Sequence, residues 1–425
     1  MIELLVIADD FTGALDTGVQ LSKQGIPVLV TTVTNGFFAE ASSDIEVLVL
    51  DIESRHVIAE DAAQIVFRVA REAINVGIKR IYKKTDSTLR GNIGAELMAL
   101  LDASGGNQLA FIPAFPKGHR TTVNGIQYLK SVEINQTVFA QDLFDPVIHS
   151  SVADTIKQQS TVATDTITKD RYGEAGKLYP EKTICIFDAE TDDDLIQLGY
   201  ALRDADRLRF IAGCAGFAGI LPQVLELKNK ELKWKNCSKN ILIVSGSVNP
   251  ISMEQLEYAK KIGYQALTLS PESKLVQNYI ETENGQAFIN NAVDLMNTGK
   301  RVIIEAVCSS DQISQTEKYA IDEGYALQDI HIQIARNIGE IVKQILSKTE
   351  IENLVVFGGD TLYGIMEKID CDRIFPIMEV ASGIAAAIAV TPKKSIRLIT
   401  KAGGLGGREI ISRIESFIMI DKEVL

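Results

Sequence analysis

Cysteine is scarce in this sequence, and its distribution argues against two structural devices. Five cysteines occur in 425 residues, no two of them form a Cys-x-x-Cys pair, and their number is odd. A disulfide framework and a structural zinc site are therefore disfavoured, and a reducing setting is expected. The five are Cys185, Cys214, Cys237, Cys308 and Cys371.

Targeting signals are lacking as well. The first ten residues contain no basic segment and become acidic at Asp9 and Asp10, so the beginning of the chain does not resemble a signal peptide. No uninterrupted apolar run reaches the roughly 18–20 residues that a membrane-spanning helix needs. We therefore expect a cytoplasmic protein.

Positive charge is in deficit. The 43 Lys and Arg residues are outnumbered by 56 Asp and Glu residues, which gives a formal net charge of -13. Non-specific binding to nucleic acid or to a membrane surface needs a positive field, so both kinds of partner are disfavoured. The negative net charge does not exclude small anionic substrates, because a local basic cluster can hold a carboxylate or a phosphate.

The chain is too long for one ordinary hydrophobic core. Domains typically contain about 100–200 residues, so this length predicts two of them. The lysine-rich, polar segment 227–240 is the best boundary, and it gives domains at 1–230 and 240–425. We interpret the polar, weakly patterned residues 141–179 as an excursion of the first domain.

Short apolar runs alternate with longer amphipathic stretches such as 60–75, 253–262 and 334–347. Apolar runs without polar alternation are typical of strands buried on both faces, and alternation of strands with helices predicts parallel sheets. We therefore predict an α/β protein with two domains, each a mostly parallel sheet flanked by helices. The predicted strands cover residues 4–8, 28–33, 47–50, 80–82, 109–112, 184–187, 210–212, 241–244, 266–269, 302–306, 354–357 and 396–400.

The first predicted strand ends in the segment DDFTGA at 9–14. Ligands of open α/β sheets bind beyond the carboxyl ends of the strands. Two carboxylates at that place can bind hydroxyls or magnesium, or act as a general base. The structural alternative is that one of them caps a helix predicted at 12–24.

A second polar segment, KKTDSTLRGN at 83–92, joins a predicted strand to a helical pattern at 93–101. Its Lys and Arg side chains, together with amides at the helix start, could bind a carboxylate or phosphate. Asp86 could accept a hydroxyl proton. The alternative is a solvated turn in which a Ser or Asp caps the helix.

Two further segments could reach the same rim of the sheet. The segment PAFPKGHRTT at 113–122 presents Lys117, His119 and Arg120 on a loop that two prolines stiffen, and a purely structural turn is an equal alternative. Asp51 and Arg55 follow the predicted strand 47–50, where a surface ion pair is the alternative.

The second half lacks the Walker motif GxxxxGK[ST] and a well-placed GxGxxG, which disfavours a P-loop nucleotidase and an ordinary dinucleotide site. It has three glycine-rich turns instead: SGSVNP at 245–250, GGDT at 358–361 and KAGGLGG at 401–407. Glycine lets backbone amides approach phosphate closely, and helix N-termini favour anions. Three such turns in one domain, each after a strand, predict a nucleotide-phosphate site.

Together these segments resemble the four-carbon acid sugar kinase family over nearly the whole chain and in the same order. The matching segments are ADDFTGALDTG at 8–18, KTDSTLRGN at 84–92, PAFP at 113–116, RTT at 120–122, SGS at 245–247, GGDT at 358–361 and KAGG at 401–404. The resemblance implies an acid-sugar-binding first domain and a nucleotide-binding second domain. It also implies ATP and Mg²⁺ as cofactors, and phosphate transfer in an interdomain cleft to the terminal hydroxyl of threonate, erythronate or 3-oxo-tetronate. Whether the protein forms a homodimer is left open by the sequence.

Motif position also nominates the site residues, while the residues that hold the metal are left open. Asp86 and Asp10 are the candidate catalytic residues, either of which would orient the hydroxyl and take its proton. The candidate substrate-binding residues are Asp9, Arg55, Lys84, Thr85, Asp86, Ser87, Arg90 and Arg120. The candidate ATP-binding residues are Ser245, Gly358, Gly359, Asp360, Thr361, Ala402, Gly403, Gly404 and Leu405.

Three residues and one segment depart from the pattern of the family. Ala402 and Leu405 stand where its last turn has Ser and Phe, His119 stands where Gly usually precedes Arg120, and residues 379–384 replace a loop that contains Pro-Gly. There are two rival functions, and the departures in the nucleotide half motivate the first of them. One is a non-catalytic sensor that binds an acid sugar, and the other is a nucleotide-independent enzyme that acts on phosphorylated acids.

Overall fold

The computed structural model describes residues 2–33, 44–142, 145–228, 240–327, 330–401 and 403–419. The chain divides into two compact units, Met1–Lys230 and Glu231–Leu425. Most of the segment that we predicted as the boundary, residues 229–239, lies outside the described residues. None of the described helices is both long enough and apolar enough to cross a bilayer.

The sheet of the first unit has eight described strands, all parallel, in the order β2-β3-β1-β4-β11-β5-β10-β9. Its central strands are apolar runs with every residue buried, as expected for strands that are covered on both faces. The strands are β1 (Leu4–Ala8), β2 (Val28–Thr31), β3 (Val47–Asp51), β4 (Ile81–Lys84), β5 (Gln108–Ile112), β9 (Ala163–Ile167), β10 (Thr183–Phe187) and β11 (Phe210–Gly213).

Helices and a small second sheet complete this unit. The helices are α1 (Phe11–Ser22), α2 (Ala59–Asn75), α3 (Ile93–Ser104), α4 (Val152–Lys157), α5 (Asp192–Asp204), α6 (Ala215–Ala218) and α7 (Leu221–Val224). An antiparallel sheet consists of β6 (Arg120–Val123), β7 (Ile126–Leu129) and β8 (Val132–Glu133), none of which we predicted. The predicted excursion at 141–179 contains α4 and supplies β9 as an edge strand of the main sheet.

The sheet of the second unit has seven described strands in the order β13-β14-β12-β15-β18-β17-β16. Five are parallel neighbours, whereas β16 and β17 join the sheet in antiparallel fashion. The strands are β12 (Ile241–Ser245), β13 (Gln265–Thr268), β14 (Val302–Glu305), β15 (Asn353–Phe357), β16 (Arg373–Ala381), β17 (Ile384–Val390) and β18 (Ser395–Lys401).

The sequence analysis missed β16 and β17. The run IAAAIAV of β17 is rich in alanine, which has low intrinsic strand preference, and pairing on both sides overrides that preference. Residues 379–384, where the family has a loop that contains Pro-Gly, span the end of β16 and the start of β17, and the turn between the strands consists of Ser382 and Gly383, which has a φ of 71°. The fold is therefore the mostly parallel α/β type that we predicted, with an antiparallel addition at one end of the second sheet.

Two helices of the second unit pack closely through glycine. The helices are α8 (Pro250–Lys261), α9 (Pro271–Leu275), α10 (Glu283–Asn297), α11 (Ser310–Asp322), α12 (Ile330–Lys348), α13 (Gly359–Lys368) and α14 (Ile410–Met419). A Cβ atom at Gly339 of α12 would lie 2.3 Å from the carbonyl oxygen of Gly364 on α13, and one at Gly364 would lie 2.4 Å from the carbonyl oxygen of Ala335. Helix α12 can therefore approach α13 this closely only because Gly339 and Gly364 have no Cβ atom.

This packing makes Gly339→Ala destabilising although alanine favours helices. Alanine gains about 1 kcal/mol over glycine in a helix interior, but overpacking costs about 1–3 kcal/mol and here meets backbone. We expect the free energy of unfolding to fall by about 1 kcal/mol or more in calorimetry. Gly173→Ala is the control, since no atom lies within 4 Å of a Cβ at that position. A Gly339→Ala protein as stable as the wild type would contradict this account.

Candidate functional site

The candidate substrate residues lie where neighbouring parallel strands end. Strand β1 pairs with β3 and β4 so that Ala8 lies opposite both Asp51 and Lys84. Asp9 and Asp10 follow directly and therefore reach the same edge of the sheet as Lys84. The residues that we singled out in three separate sequence segments thus meet because of strand register.

Arg55 bridges the two adjacent carboxylates at the end of β1. Its Nε lies 2.7 Å from Asp9 Oδ2, its Nη1 lies 2.8 Å from Asp10 Oδ2, and its Nη2 lies 2.6 Å from Asp9 Oδ2 and 2.8 Å from Asp10 Oδ1. Burial alone would lower the pKa of Arg55, but Asp10 and Asp9 outweigh it and raise the pKa well above its usual value. The alternative of a surface ion pair between Asp51 and Arg55 does not describe this arrangement, since the Arg55 side chain is only 9% exposed and is paired with Asp9 and Asp10.

The two aspartates have different surroundings. Asp10 is the N-cap of α1, where its Oδ1 accepts a hydrogen bond of 3.0 Å from the amide of Gly13, and its side chain is 21% exposed. Asp9 has a side chain that is only 3% exposed, and its Oδ1 has no hydrogen-bond partner among the described residues. Burial alone would raise the pKa of Asp9, but Arg55 and Lys84 lower it. Asp10 is thus the more accessible of the two.

Lys83 and Lys84 lie in a strand rather than in the loop where we predicted them. They are the last two residues of β4, and successive side chains of a strand point to opposite faces. Lys83 Nζ lies 2.9 Å from Glu96 Oε2 on α3, whereas Lys84 Nζ lies 3.9 Å from Asp9 Oδ1. Only Lys84 therefore belongs to the cluster around Arg55.

Asp86 and Arg90 form a second ion pair in the same segment. Arg90 Nε lies 2.8 Å from Asp86 Oδ2, and Thr88 donates its hydroxyl to the same oxygen. Asp86 Oδ1 lies farther from the guanidinium, 3.4 Å from Arg90 Nη2. Burial alone would raise the pKa of Asp86, but Arg90 and Arg55 hold it well below its usual value. Asp86 is therefore an ionised hydrogen-bond acceptor at neutral pH.

The other substrate-binding candidates of the first unit make hydrogen bonds that involve backbone groups. Thr85 donates its amide to Gly213 at 2.8 Å and is buried against β11, and Ser87 contributes its carbonyl oxygen to Gln127 at 2.9 Å. Arg120 Nη1 lies 3.2 Å from the carbonyl oxygen of Gly118, and its Nε has no partner among the described residues. His119 has a φ of 58°, in the left-handed region that favours glycine, which explains why the family usually has Gly there.

Sequence reasoning gave no role to several residues that hold this cluster in place. Asn92 donates its side-chain amide to the carbonyl oxygens of Ser54 at 2.9 Å and Val57 at 2.8 Å, which fixes the loop that carries Arg55. Glu53 accepts a hydrogen bond of 3.1 Å from the amide of Phe11 and so holds the start of α1. The position of Glu53 two residues before Arg55 was the available signal, but its partner lies 42 residues away.

The Lys83–Glu96 pair supplies a stability test for this half of the site. Burial raises the pKa of Glu96, and Lys83 opposes that rise. Because Glu96→Gln leaves a buried ammonium without its carboxylate, we expect the free energy of unfolding to fall by about 3 kcal/mol. Asp102→Asn on the same helix breaks an exposed pair with Lys182 and should cost no more than about 1 kcal/mol. Equal losses in denaturant titrations of the two variants would contradict this assignment.

The three glycine-rich turns of the second unit also lie side by side. Strand β15 is flanked by β12 and β18, and the register places Phe357 opposite both Ser245 and Lys401. The turns that begin after these three residues therefore emerge at one edge of the sheet. Gly358, the N-cap of α13, has a φ of 108°, and its amide lies 3.2 Å from the carbonyl oxygen of Lys401.

Glycine is sterically required where two of these turns approach. A Cβ at Gly246 would lie 2.1 Å from Oγ1 of Thr361, which is buried in the first turn of α13. Gly359 and Asp360 precede Thr361 in that first turn and present backbone amides at a helix N-terminus. The arrangement suits an anion, and the nucleotide-phosphate site stays a prediction.

The last turn is described except for one residue. The candidate Ala402 lies outside the described residues, whereas Gly403 has a φ of 45° and Gly404 lies against Asn249. Leu405 is 42% exposed and covers Gly383, where a Cβ would lie 2.1 Å from Leu405 Cδ1. The departure of Leu405 from the family pattern therefore changes a contact with the hairpin of β16 and β17.

Lys401, the last residue of β18, lies beside these turns, and the sequence analysis assigned it no role. Its ammonium lies 3.0 Å from Ser252 Oγ and 4.7 Å from the centre of the Phe357 ring. Burial lowers the pKa of Lys401 to about 8. A buried cation with no carboxylate partner among the described residues adds positive potential beneath the turns.

The donor set can be tested for magnesium. The described residues contain no group of three or more His, Cys, Asp or Glu side chains that could hold a metal ion. Mg²⁺ is commonly held by one or two carboxylates together with substrate phosphates, so a dedicated protein cage is not needed. Asp360, in the first turn of α13, is a carboxylate at the right place for that mode of binding.

Models of two protein domains match the two units of the chain. The model of a sugar-binding N-terminal domain matches residues 4–221, and the model of a nucleotide-binding C-terminal domain matches residues 242–411. The chain is 27% identical to a D-threonate kinase of Salmonella typhimurium, over 95% of each chain. It is 26% identical to a D-erythronate kinase of Heliobacterium modesticaldum and 22% identical to a 3-oxo-tetronate kinase of Pseudomonas fluorescens, in both cases over 96% of this chain and 95% of the relative.

Solved structures share the fold. A protein from Salmonella typhimurium LT2 superposes with a TM-score of 0.79 at 18% identity, with all of both chains covered. A Haemophilus influenzae protein of the DUF1537 family gives 0.74 at 19% identity, covering 98% of this chain and all of its own. Because the sugar-binding model matches more than half of the chain and the nucleotide-binding model follows it, the chain belongs to the four-carbon acid sugar kinase family.

Proposed function

We propose that the chain transfers the γ-phosphate of ATP to the terminal hydroxyl of a four-carbon acid sugar: threonate, erythronate or 3-oxo-tetronate. The observation that carries the proposal is the pairing of two chemistries in one chain. The first unit has buried carboxylates and cations at a strand edge, and the second has three amide-rich turns at another. The relatives named as kinases of these acids support the same reaction.

Charge accounting indicates which cations receive the carboxylate of the substrate. Three nitrogens of Arg55 are already bound to Asp9 and Asp10, and Arg90 is bound to Asp86 and Asp142. Lys84 makes no ion-pair contact closer than 3.9 Å, and Arg120 has no carboxylate within ion-pair distance among the described residues. Lys84 lies opposite Gly213 in β11, and the thiol of the next residue, Cys214, lies 3.2 Å and 3.1 Å from the carbonyl oxygens of Pro113 and Ala114, at the start of the loop that leads to Arg120.

We therefore assign the substrate carboxylate to Arg120 and Lys84, with Arg55, Thr85 and Ser87 shaping the surrounding loops. Arg55 holds Asp9 and Asp10 in place, and Asp10 is accessible enough to bind a substrate hydroxyl. Arg90 holds Asp86 in its ionised form. In this division, Asp9 is a positioning residue because its carboxylate is almost completely buried.

Asp86 is the stronger candidate for the residue that orients the reacting hydroxyl. Its Oδ1 is less engaged than either oxygen of Asp10, which accept from Arg55 at 2.8 Å. A carboxylate with a lowered pKa is a weak base. In phosphoryl transfer, however, the hydroxyl proton leaves late, and positioning and charge neutralisation supply most of the catalysis. Asp86 would accept that proton as the new P–O bond forms.

The second unit would hold the nucleotide. Ser245, Gly358, Gly359, Asp360 and Thr361 form two of the turns, and Gly403, Gly404 and Leu405 belong to the third; Ala402 is proposed on motif position alone. Bound Mg²⁺ would supply charge neutralisation on the phosphates, with Asp360 as its protein ligand. Transfer then requires the phosphate and the hydroxyl to come within about 3–3.5 Å of each other.

We place the reaction in the cytoplasm, which is reducing and would keep Cys185, Cys214, Cys308 and Cys371 free.

An ADP-release screen over D- and L-threonate, D- and L-erythronate and 3-oxo-tetronates tests the reaction itself. ADP formed in proportion to a phosphorylated acid would establish the kinase. Binding of an acid without ADP release would favour the sensor. Conversion of phosphorylated acids in the absence of nucleotide would favour a nucleotide-independent enzyme that acts on such acids.

Asp86→Asn tests the orienting residue. We expect kcat to fall by about 100-fold or more, because the amide cannot accept the proton, while the Kd of ATP stays within twofold of wild type. Asp142→Asn is the matched control, since Asp142 binds the same Arg90 at 3.1 Å. Turnover by Asp86→Asn at the rate of the control would remove Asp86 from the mechanism.

Arg120→Leu tests the carboxylate assignment. Loss of a charge-assisted hydrogen bond costs about 1.5–3 kcal/mol, so kcat/KM for the acid should fall about 10- to 100-fold. The neutral polyols threitol and erythritol lack the carboxylate, and their kcat/KM should change little. Lys117→Leu, which removes an exposed cation from the same loop, is the control. An equal loss for acid and polyol would show that Arg120 does not bind the carboxylate.

A further inference from the structure

The last glycine-rich turn curls around one buried side chain. Gln255 of α8 is completely buried, and its Nε2 lies 3.2, 3.0 and 3.1 Å from the carbonyl oxygens of Leu405, Gly406 and Gly407. Its Oε1 has no partner among the described residues, so the side chain serves as a donor only. Three consecutive carbonyl groups therefore converge on a single nitrogen.

A fourth carbonyl group of the turn is held in a similar way. The oxygen of Gly403 accepts a hydrogen bond of 3.1 Å from Ser252 Oγ and another from the ammonium of Lys401. Ser252 precedes Gln255 by three residues on α8, and residues at this spacing share one face of a helix. One helix face and the end of β18 thus bind the carbonyl groups of residues 403 and 405–407.

Peptide geometry then fixes the direction of the backbone amides. In a trans peptide, the N–H of the next residue points opposite to the carbonyl group, and no cis peptide occurs among the described residues. The amides of Gly404, Gly406, Gly407 and Arg408 therefore point away from Gln255, Ser252 and Lys401. In the described part of the chain, none of these four amides donates to a protein acceptor.

The surroundings of these amides favour an anion. Gly406, Gly407 and Arg408 are exposed, and Lys401 lies behind the turn without a carboxylate partner among the described residues. Glu254 lies 3.6 Å from the guanidinium of the exposed Arg408, and Glu409, the next residue, is also exposed to solvent. Unpaired amides that face the same side of a turn form a concave site for oxyanions such as phosphate.

We propose that Gln255 is a positioning residue that, together with Ser252 and Lys401, directs these four amides toward the phosphates of the bound nucleotide. The inference rests on the proposed function, and it extends the phosphate site to Gly406, Gly407 and Arg408. Gln255 acts through the backbone and does not touch the nucleotide. Glutamate in its ionised form, or methionine, would supply no N–H donor to the three carbonyl groups.

Gln255→Met is the test, because methionine has a similar length and shape but no donor. We expect the Kd of MgATP, measured by calorimetry without the acid sugar, to rise about tenfold or more, since several carbonyl groups lose their partner. The Kd of the acid sugar should stay within twofold. Gln286→Met is the matched control: Gln286 also donates to a backbone carbonyl, that of Ile280, elsewhere in the same unit.

Hydrogen exchange separates positioning from a general structural effect. In the wild type, ATP should slow exchange of the amides in the peptide 403–409, and Gln255→Met should lose this protection while its unliganded thermal midpoint stays near that of the control. Ser252→Ala, a milder change, should weaken MgATP binding about threefold and serves if Gln255→Met does not fold.

Two negative results have different meanings. Wild-type protein that fails to bind MgATP would overturn the proposed function, and this inference with it. Wild-type protein that binds MgATP, with unchanged affinity and unchanged protection of 403–409 in Gln255→Met or Ser252→Ala, would overturn only the role of Gln255 and its partners.

Discussion

Arg55 binds two adjacent carboxylates that would otherwise repel each other at the end of β1. The pair can exist in a buried place only because the guanidinium supplies three nitrogens in a fixed planar fork. Asn92 and Glu53 hold the two segments that this fork connects. Arg55 therefore acts together with the Gly13 amide on Asp10, while Glu53 holds the amide of Phe11 at the start of α1.

The candidate anion sites of the two units are built from different groups. In the first unit, charged side chains at the ends of β1 and β4 are paired with one another, so the cations left without close partners decide where an anion can bind. In the second unit, the candidate anion site consists mostly of backbone amides of the glycine-rich turns, and Gln255 and Ser252 bind carbonyl groups of the last of these turns. Side-chain charge gives selectivity for a carboxylate, and an array of amides suits phosphate groups of any nucleotide.

Much of this arrangement could be predicted from the sequence. Apolar runs without polar alternation predicted the buried parallel strands, and the polar or glycine-rich segments after them predicted both candidate sites. Two kinds of feature could not be predicted. Lys83 and Lys84 look equivalent in the sequence, but strand alternation directs one to Glu96 and the other to Asp9. Strand β17 has an alanine-rich sequence, and its strand conformation results from pairing with β16 and β18.

The sequence by itself determined the α/β class, the order of the polar segments and the family to which they belong, because these follow from local patterning and from residue types at fixed spacing. Only the tertiary structure decided which charges neutralise each other and which stay available to a substrate. Such pairings join residues that lie far apart in the chain, as Arg55 and Asp9 do, and register and burial rather than spacing set them. The same holds for Gln255, whose partners lie about 150 residues away and carry no side-chain signal, since they are backbone carbonyl groups.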